Sequence, residues 1–220
     1  MALNSESWKT KPTDRFVLKW VKCHLSARIT PGLLGLEWLR PWMITSLSAF
    51  LGVMAGVLFG LGWGFPAGLT AVIAQVLDGV DGQFARLTGR QGATGALLDS
   101  ALDRYADGSL MIGMTVYLIR LPTFLPDWQV LCIASLAIIG SNLVSYSASR
   151  AEGLRLPLPP KHTLASKGTR TMTMALCGIL TPLWPELPLA ALCYLAVHTN
   201  IVLAHRLNHA IRGSQKGRAS

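Results

Sequence analysis

Five aspartates, Asp78, Asp81, Asp99, Asp103 and Asp107, fall within thirty residues of sequence. Asp78 and Asp81 are three apart, and Asp99 and Asp103 are four apart, spacings that put each pair on one face of a helix. Asp107 continues the second face by one turn. Two carboxylates about 5 Å apart repel by roughly 3 kcal/mol at an effective dielectric of 20. Four that converge must therefore take up protons or bind cations. At neutral pH a metal answers this better, and all-oxygen ligands select hard ions, Mg²⁺ or Mn²⁺, over zinc. Four carboxylates suffice for two ions sharing a bridging ligand, an arrangement suited to reactions at phosphate. Arg86, one turn beyond Gly82, is placed to meet a diphosphate. Gly79, Gly82 and Ala85 flank the first pair, and Gly89, Gly92 and Gly95 fill the stretch between the pairs. A glycine inside a helix costs about 1 kcal/mol relative to alanine, so these positions point to close approach by a ligand or a neighbouring backbone. The plainer alternative is an ion-pair network of the aspartates with Arg86, Arg90 and Arg104.

The elements that position these residues are membrane helices. Only 14% of the 220 residues are charged and 51% are hydrophobic, against about 25% charged in ordinary soluble domains. The 37 residues 41–77 contain no Asp, Glu, Lys or Arg, and a membrane span needs about 20. The pattern predicts an all-α polytopic membrane protein with six spans, near 42–63, 66–87, 95–119, 128–150, 168–184 and 187–206. An ionised Asp near a bilayer centre costs about 2.5–3.5 kcal/mol, so the aspartates of the third span mark function. Gly52, Gly56 and Gly60 repeat every four residues in the first span and allow a close helix neighbour. We expect packing within the bundle there ahead of a homodimer seam.

Charge gives the orientation. The net charge is +9, and 18 of the 20 Lys and Arg residues fall on one side of the six spans. That side is cytoplasmic by the positive-inside rule, with both termini, so the basic balance implies a membrane partner rather than nucleic acid. Both aspartate pairs lie on the cytoplasmic halves of their spans. Phe16, Trp20, Val21 and Leu25 recur at helical spacing among basic residues, which predicts an amphipathic helix on the anionic leaflet; a plain charged leader is the alternative. The expected organisation is a cytoplasmic N-terminal segment over 1–40, a six-helix catalytic domain over 41–207 and a basic tail over 208–220. Cys23, Cys132, Cys177 and Cys193 stand singly and form neither a zinc motif nor a disulfide framework. No cleaved signal peptide is expected. His198, His205 and His209 have no carboxylates near them in sequence and read as packing or interfacial residues.

The stretch Asp78-Gly-Val-Asp81-Gly82-Gln-Phe-Ala85-Arg86, then Gly95, Asp99 and Asp103 at their spacings, resembles the motif of the CDP-alcohol phosphatidyltransferase family at all eight fixed positions. The six spans and N-terminal helix are similar to that family's fold. The resemblance implies transfer of a phosphoalcohol group from a CDP-linked donor, usually CDP-diacylglycerol, to the hydroxyl of a second alcohol, with release of CMP. It implies a two-metal site on Asp78, Asp81, Asp99 and Asp103, with Asp103 as the base that takes the acceptor's proton. Gly82 and Ala85 would leave room for the nucleotide, and Arg86 would hold donor phosphate. Pro41-Trp-Met-Ile-Thr45 is similar to a Pro-Asn-x-x-Thr element near the nucleotide, with Trp42 in place of Asn. Tyr146-Ser-Ala-Ser-Arg150-Ala-Glu-Gly153 resembles the end of the fourth span in members that use inositol phosphate and related acceptors. By that likeness Arg150, Lys167 and Arg170 form a cationic pocket for a phosphorylated acceptor, inositol phosphate or glycerol 3-phosphate. Lys at 167, where such members carry basic residues, is a weaker bidentate phosphate ligand than Arg. Two alternatives stay open. One keeps the chemistry with a soluble donor such as CDP-inositol. The other is a divalent-cation transporter or an inactive lipid-binding homologue. A transporter needs polar residues across the whole bilayer, and the outer halves of these spans carry only Arg120, Asp127 and Glu186. The expected location is the bacterial inner or plasma membrane, with the site facing the cytoplasm.

Overall fold

Residues 8–10, 16–121, 123–154, 156 and 167–216 are described by a computed structural model, and their regular structure is all helical. Helix α1 (Phe16–Val21), a π-helical stretch (Lys22–Ser26) and α2 (Ala27–Leu33) form an N-terminal arm. Six further helices follow: α3 (Pro41–Gly60), α4 (Gly64–Leu87), α5 (Ala93–Arg120), α6 (Asp127–Gly153), α7 (Lys167–Ile179) and α8 (Leu187–Lys216).

Local chemistry sets the boundaries. Pro41 opens α3 after an extended Arg40, where its missing N–H costs nothing. Gly62 turns the chain out of α3 at φ 92° and Gly89 turns it out of α4 at φ 65°, both in the left-handed region that glycine enters without strain. Asp127 lies in the first turn of α6, where a carboxylate favours the positive helix end. Helix α7 ends at Ile179, short of the expected 184, because Pro182 and Pro185 cannot extend it. Helix α8 continues past the expected 206 to Lys216.

Helices α3 and α6 and residues Leu187–Arg212 of α8 are long and apolar enough to cross a membrane. Helices α4 and α5 have the length, at 24 and 28 residues, but carry the charges of the site. Exposed Trp20, Trp38 and Trp42 lie before and at the start of α3. Exposed Trp63, Trp128 and Trp184 lie at the opposite turns of the bundle. Two such aromatic levels suit the two interfaces of a bilayer.

Small residues decide the packing. Helix α3 packs on both α4 and α5, α4 packs on α7, and α6 packs on α8. A Cβ added at Gly52 would stand 2.6 Å from the Ala106 Cβ, and one at Gly56 would run into the Ser109 carbonyl. The glycine stripe of α3 is thus a seam with α5 inside the bundle. Gly68 and Gly178 bring α4 and α7 together in the same way, and Gly140 brings α6 against Thr199 and Asn200. Phe59, Met111, Met114, Leu118, Met174, Leu192 and Leu195 fill the space between, with Phe59 edge-on to Tyr117 at 5.9 Å.

The arm departs from the simple amphipathic pattern. Val21 is buried and Trp20 is 56% exposed, and the face turned inward also carries Lys22, Ser26 and Thr30. Ser26 Oγ donates to the Val76 carbonyl at 2.8 Å, and Thr30 Oγ1 donates to Gln83 Oε1 at 2.7 Å. Gln83 Nε2 donates to the carbonyls of Lys9 and Lys22. Gly79 permits this approach, since a Cβ there would meet Ser26 Oγ. Ser26, Thr30 and the Lys22 carbonyl on this face are thus met by hydrogen bonds from or to α4. Phe16 lies in α1, but its side chain is outside the described residues.

Candidate functional site

Helices α4 and α5 are held by α3 rather than by direct packing on each other, so the end of α4 and the start of α5 flank an opening. Into it Asp78, Asp99 and Asp103 each turn a carboxylate oxygen, and these oxygens lie within 4.8 Å of one another. All three residues are half-buried. Asp81, one turn further along α4, is buried and accepts a 2.7 Å hydrogen bond from Thr45 Oγ1 of α3. Gln75, one turn before Asp78, donates from Nε2 to Asp78 Oδ2 at 3.1 Å. Lys167 begins α7 and sets its Nζ 2.5 Å from Asp78 Oδ1, while it also bonds to Asp103 Oδ1. Low surrounding dielectric strengthens both the repulsion among the carboxylates and their attraction to a cation.

On one side of this cluster lies a cavity of about 500 Å³, lined by Trp42, Thr45, Asp78, Asp81, Gly82, Ala85, Arg86 and Asp99 among others. Every residue expected on the donor side, Thr45, Gly82, Ala85 and Arg86, shares it. Arg86 Nε donates to the Trp8 carbonyl at 2.8 Å. The space left by Gly82 is bounded by the Arg86 guanidinium, 3.4 Å from where a Cβ would stand. Trp42 is 53% exposed at the rim.

On the other side Lys167 and Arg170 line a cavity of about 30 Å³ with Asp103, Asp107, Ser141 and Ser145. Arg170 is buried; it bonds Asp107 Oδ2 at 3.1 Å and reaches Ser145 Oγ at 3.4 Å. Thr171 Oγ1 donates to Asp107 Oδ1 at 3.1 Å. Arg150 is exposed near the end of α6 and outside the lining of that cavity. Thus two of the three expected acceptor-side cations come together, and both already bind aspartates. Arg90 and Arg104, two of the three arginines of the plain ion-pair alternative, donate to the carbonyls of Leu39 and Ser100. His198 stacks on Tyr194 within α8 at 5.2 Å.

Sequence reasoning passed over Gln75, Gln83, Thr171 and the pairing of Lys167 with aspartates. Gln75 was findable, because it sits three residues before Asp78 on the same helix face. The lysine pairing spans 89 and 64 residues of chain and has no local signature. The donor set is chemically suited to a hard divalent cation. It offers carboxylate oxygens only, close enough to share one ion, and Lys167 already marks the place as one that attracts positive charge.

Among curated proteins, a bifunctional IPC transferase and DIPP synthase of Thermococcus kodakarensis is 32% identical over 140 residues, covering 64% of this chain and 30% of that protein. The chain therefore spans under a third of that bifunctional relative. The phosphatidylinositol phosphate synthase of Mycolicibacterium smegmatis is 30% identical over 201 residues, covering 88% of this chain and 82% of that one. Among solved structures, phosphatidylinositol phosphate synthase of Mycobacterium tuberculosis with CDP-DAG bound superimposes with a TM-score of 0.73 at 24% identity, covering 84% of this chain and 93% of that one. That protein has also been solved with manganese and citrate. The likeness shows a shared fold. Residues 38–207, which include the whole aspartate motif and both cavities' principal walls, match the CDP-alcohol phosphatidyltransferase family, and the chain belongs to it.

Proposed function

We propose that this protein transfers a phosphatidyl group from CDP-diacylglycerol to the hydroxyl of a phosphorylated polyol, with release of CMP, in phospholipid synthesis. Inositol phosphate is the leading acceptor and glycerol 3-phosphate the second. The observation that carries the reading is the convergence of Asp78, Asp99 and Asp103 between a roomy cavity and a cationic one. The names of the relatives favour inositol phosphate, and so do two basic side chains, Lys167 and Arg170, on the smaller cavity.

In this reading the donor's CDP end enters the 500 Å³ cavity, with its diphosphate toward Arg86 and its nucleotide beside Gly82 and Ala85. Arg170 and Lys167 hold the acceptor's phosphate, which sets its free hydroxyl toward the donor. Asp103 takes the proton from that hydroxyl as its oxygen bonds to the phosphatidyl phosphorus and the bond to CMP breaks. Two Mg²⁺ or Mn²⁺ ions held by Asp78, Asp81, Asp99 and Asp103 would supply charge that neutralises the diphosphate and the departing CMP. Thr45 and Gln75 fix the rotamers of Asp81 and Asp78, as outer partners of metal-binding carboxylates do. Six spans, with the arm at the cytoplasmic leaflet, would open the site to the cytoplasm, where water-soluble acceptors and CMP can exchange.

The test is CMP release by the detergent-purified protein supplied with CDP-diacylglycerol and Mg²⁺ or Mn²⁺. Inositol 1-phosphate, glycerol 3-phosphate, serine and inositol are offered separately. Release that depends on one acceptor and stops with EDTA is the expected result. Release only when CDP-inositol replaces the lipid donor would move the protein to a soluble donor. No release with any donor would overturn the transferase reading.

A further inference from the structure

Lys167 is bonded to two groups that the proposed metal centre also needs. Its Nζ contacts Asp78 Oδ1 and Asp103 Oδ1, and both carboxylates belong to the three whose oxygens lie within 4.8 Å of one another. A divalent ion on those carboxylates and an ammonium on two of the same carboxylates repel each other and compete for the same negative charge. Without the ammonium, three half-buried carboxylates would stand together with one fewer cation, a costly arrangement. The same side chain also lines the small cavity beside Arg170, Ser141 and Ser145, on the acceptor side of the site. Its length is suited to exchange between these places, since a lysine is a point charge on a flexible four-carbon stem while an arginine is a rigid fork. Lysine at 167 is thus the residue type that can leave one anion for another.

We infer that Lys167 is an exchangeable counter-ion. It neutralises Asp78 and Asp103 while the centre lacks metal, and a divalent ion displaces it toward the acceptor's phosphate, so metal binds before acceptor. The inference rests on the metal centre and acceptor side proposed above, and it adds an order of binding to them. By linkage, metal and phosphorylated acceptor must then strengthen each other's binding through this one side chain.

The experiment uses the full chain in detergent and compares wild type with Lys167→Met. Mn²⁺ binding is measured without acceptor by the loss of free-ion EPR signal. Binding of inositol 1-phosphate is measured by calorimetry with Mn²⁺ and with EDTA. The variant is expected to bind Mn²⁺ at least about tenfold more tightly than wild type. In wild type, Mn²⁺ is expected to tighten inositol 1-phosphate binding at least about tenfold, and in the variant by about twofold or less. Should the variant fail to fold, wild type alone decides. Acetylation of Lys167, read by peptide mass spectrometry, should be faster with Mn²⁺ than with EDTA and slow again when inositol 1-phosphate is added. Equal Mn²⁺ affinity in the two proteins, or labelling indifferent to Mn²⁺, overturns the counter-ion while leaving metal-dependent CMP release intact. Absence of Mn²⁺ binding in both proteins overturns the metal centre and this inference together.

Discussion

Between α3, α4 and the start of α5 a cavity of about 500 Å³ stands open beside the carboxylates, whereas the space on their other side, toward α6 and α7, encloses about 30 Å³. The difference has a local cause. The larger side is walled by Gly82, Ala85, Gly92, Gly95 and Ala96, residues with little or no side chain. The smaller side is filled by Lys167 and Arg170, each bonded to an aspartate of α4 or α5. In the proposed reading a donor enters the first without a rearrangement of charge. In that reading an acceptor enters the second only by drawing cations off aspartates, and breaking a buried pair without replacing the partner costs about 3–5 kcal/mol. A phosphate brings its own negative charge and makes that exchange nearly balanced. A neutral alcohol does not. The closed side is therefore where selection between acceptors is expected.

Substitutions on the two sides can break this contrast, and the largest effect should come from between them. Asp103→Asn is expected to lower CMP release about 10³-fold or more, within the range of a lost general base with its charge. Donor binding, followed by calorimetry with CDP-diacylglycerol in detergent, should survive. Full turnover in that variant would remove Asp103 from the chemistry. Arg170→Met comes next, because it leaves Asp107 with only Thr171 among the partners described above. We expect a destabilisation of about 3 kcal/mol in thermal unfolding and a raised KM for the acceptor, with the donor KM unchanged. A donor KM that rises equally would erase the distinction between the two sides.

Gly82→Val tests the open side. Its Cβ would meet only the Arg86 guanidinium, at 3.4 Å, so the fold should hold. The added methyls reach into donor space, and an overpacking cost of about 2 kcal/mol corresponds to roughly a 30-fold rise in donor KM. The acceptor KM should stay within about twofold by the same measure. The smallest effect is assigned to Thr45→Val, which keeps the shape and removes the hydrogen bond to Asp81. About 1 kcal/mol, or roughly a fivefold loss in kcat/KM, is expected, with a weaker Mn²⁺ dependence.

What was legible in the sequence follows from how far apart the partners are along the chain. The aspartate pairs and the stretch from Gly82 to Arg86 are separated by three or four residues, and helix geometry alone places them on common faces. That Thr45, Gly82, Ala85 and Arg86 stand together, as they do on one cavity, was readable through the family likeness. The α3 stripe was readable as a packing seam, though its partner α5 was not. The arm was misjudged in detail. Of its apolar residues Val21 is buried while Trp20 is exposed, and Ser26 and Thr30 are satisfied by Val76 and Gln83, 50 and 53 residues away. Arg150 was grouped with Lys167 and Arg170 by motif, and in the fold it is exposed at the end of a different helix.

The sequence by itself determined the helical class, the apolar segments, the aspartate motif and the kind of chemistry such a motif serves. Those depend on short-range spacing, on hydropathy and on the residue types present. Only the tertiary structure decided that Lys167 stands on Asp78 and Asp103, that Arg170 closes on Asp107, and that one side of the site is open while the other is filled. These pairings join helices whose relative positions are set by side-chain volume at crossings such as Gly56 on Ser109 and Gly68 on Gly178. No periodicity within one helix encodes which face of another it will meet, because that choice optimises the packing of the whole bundle at once.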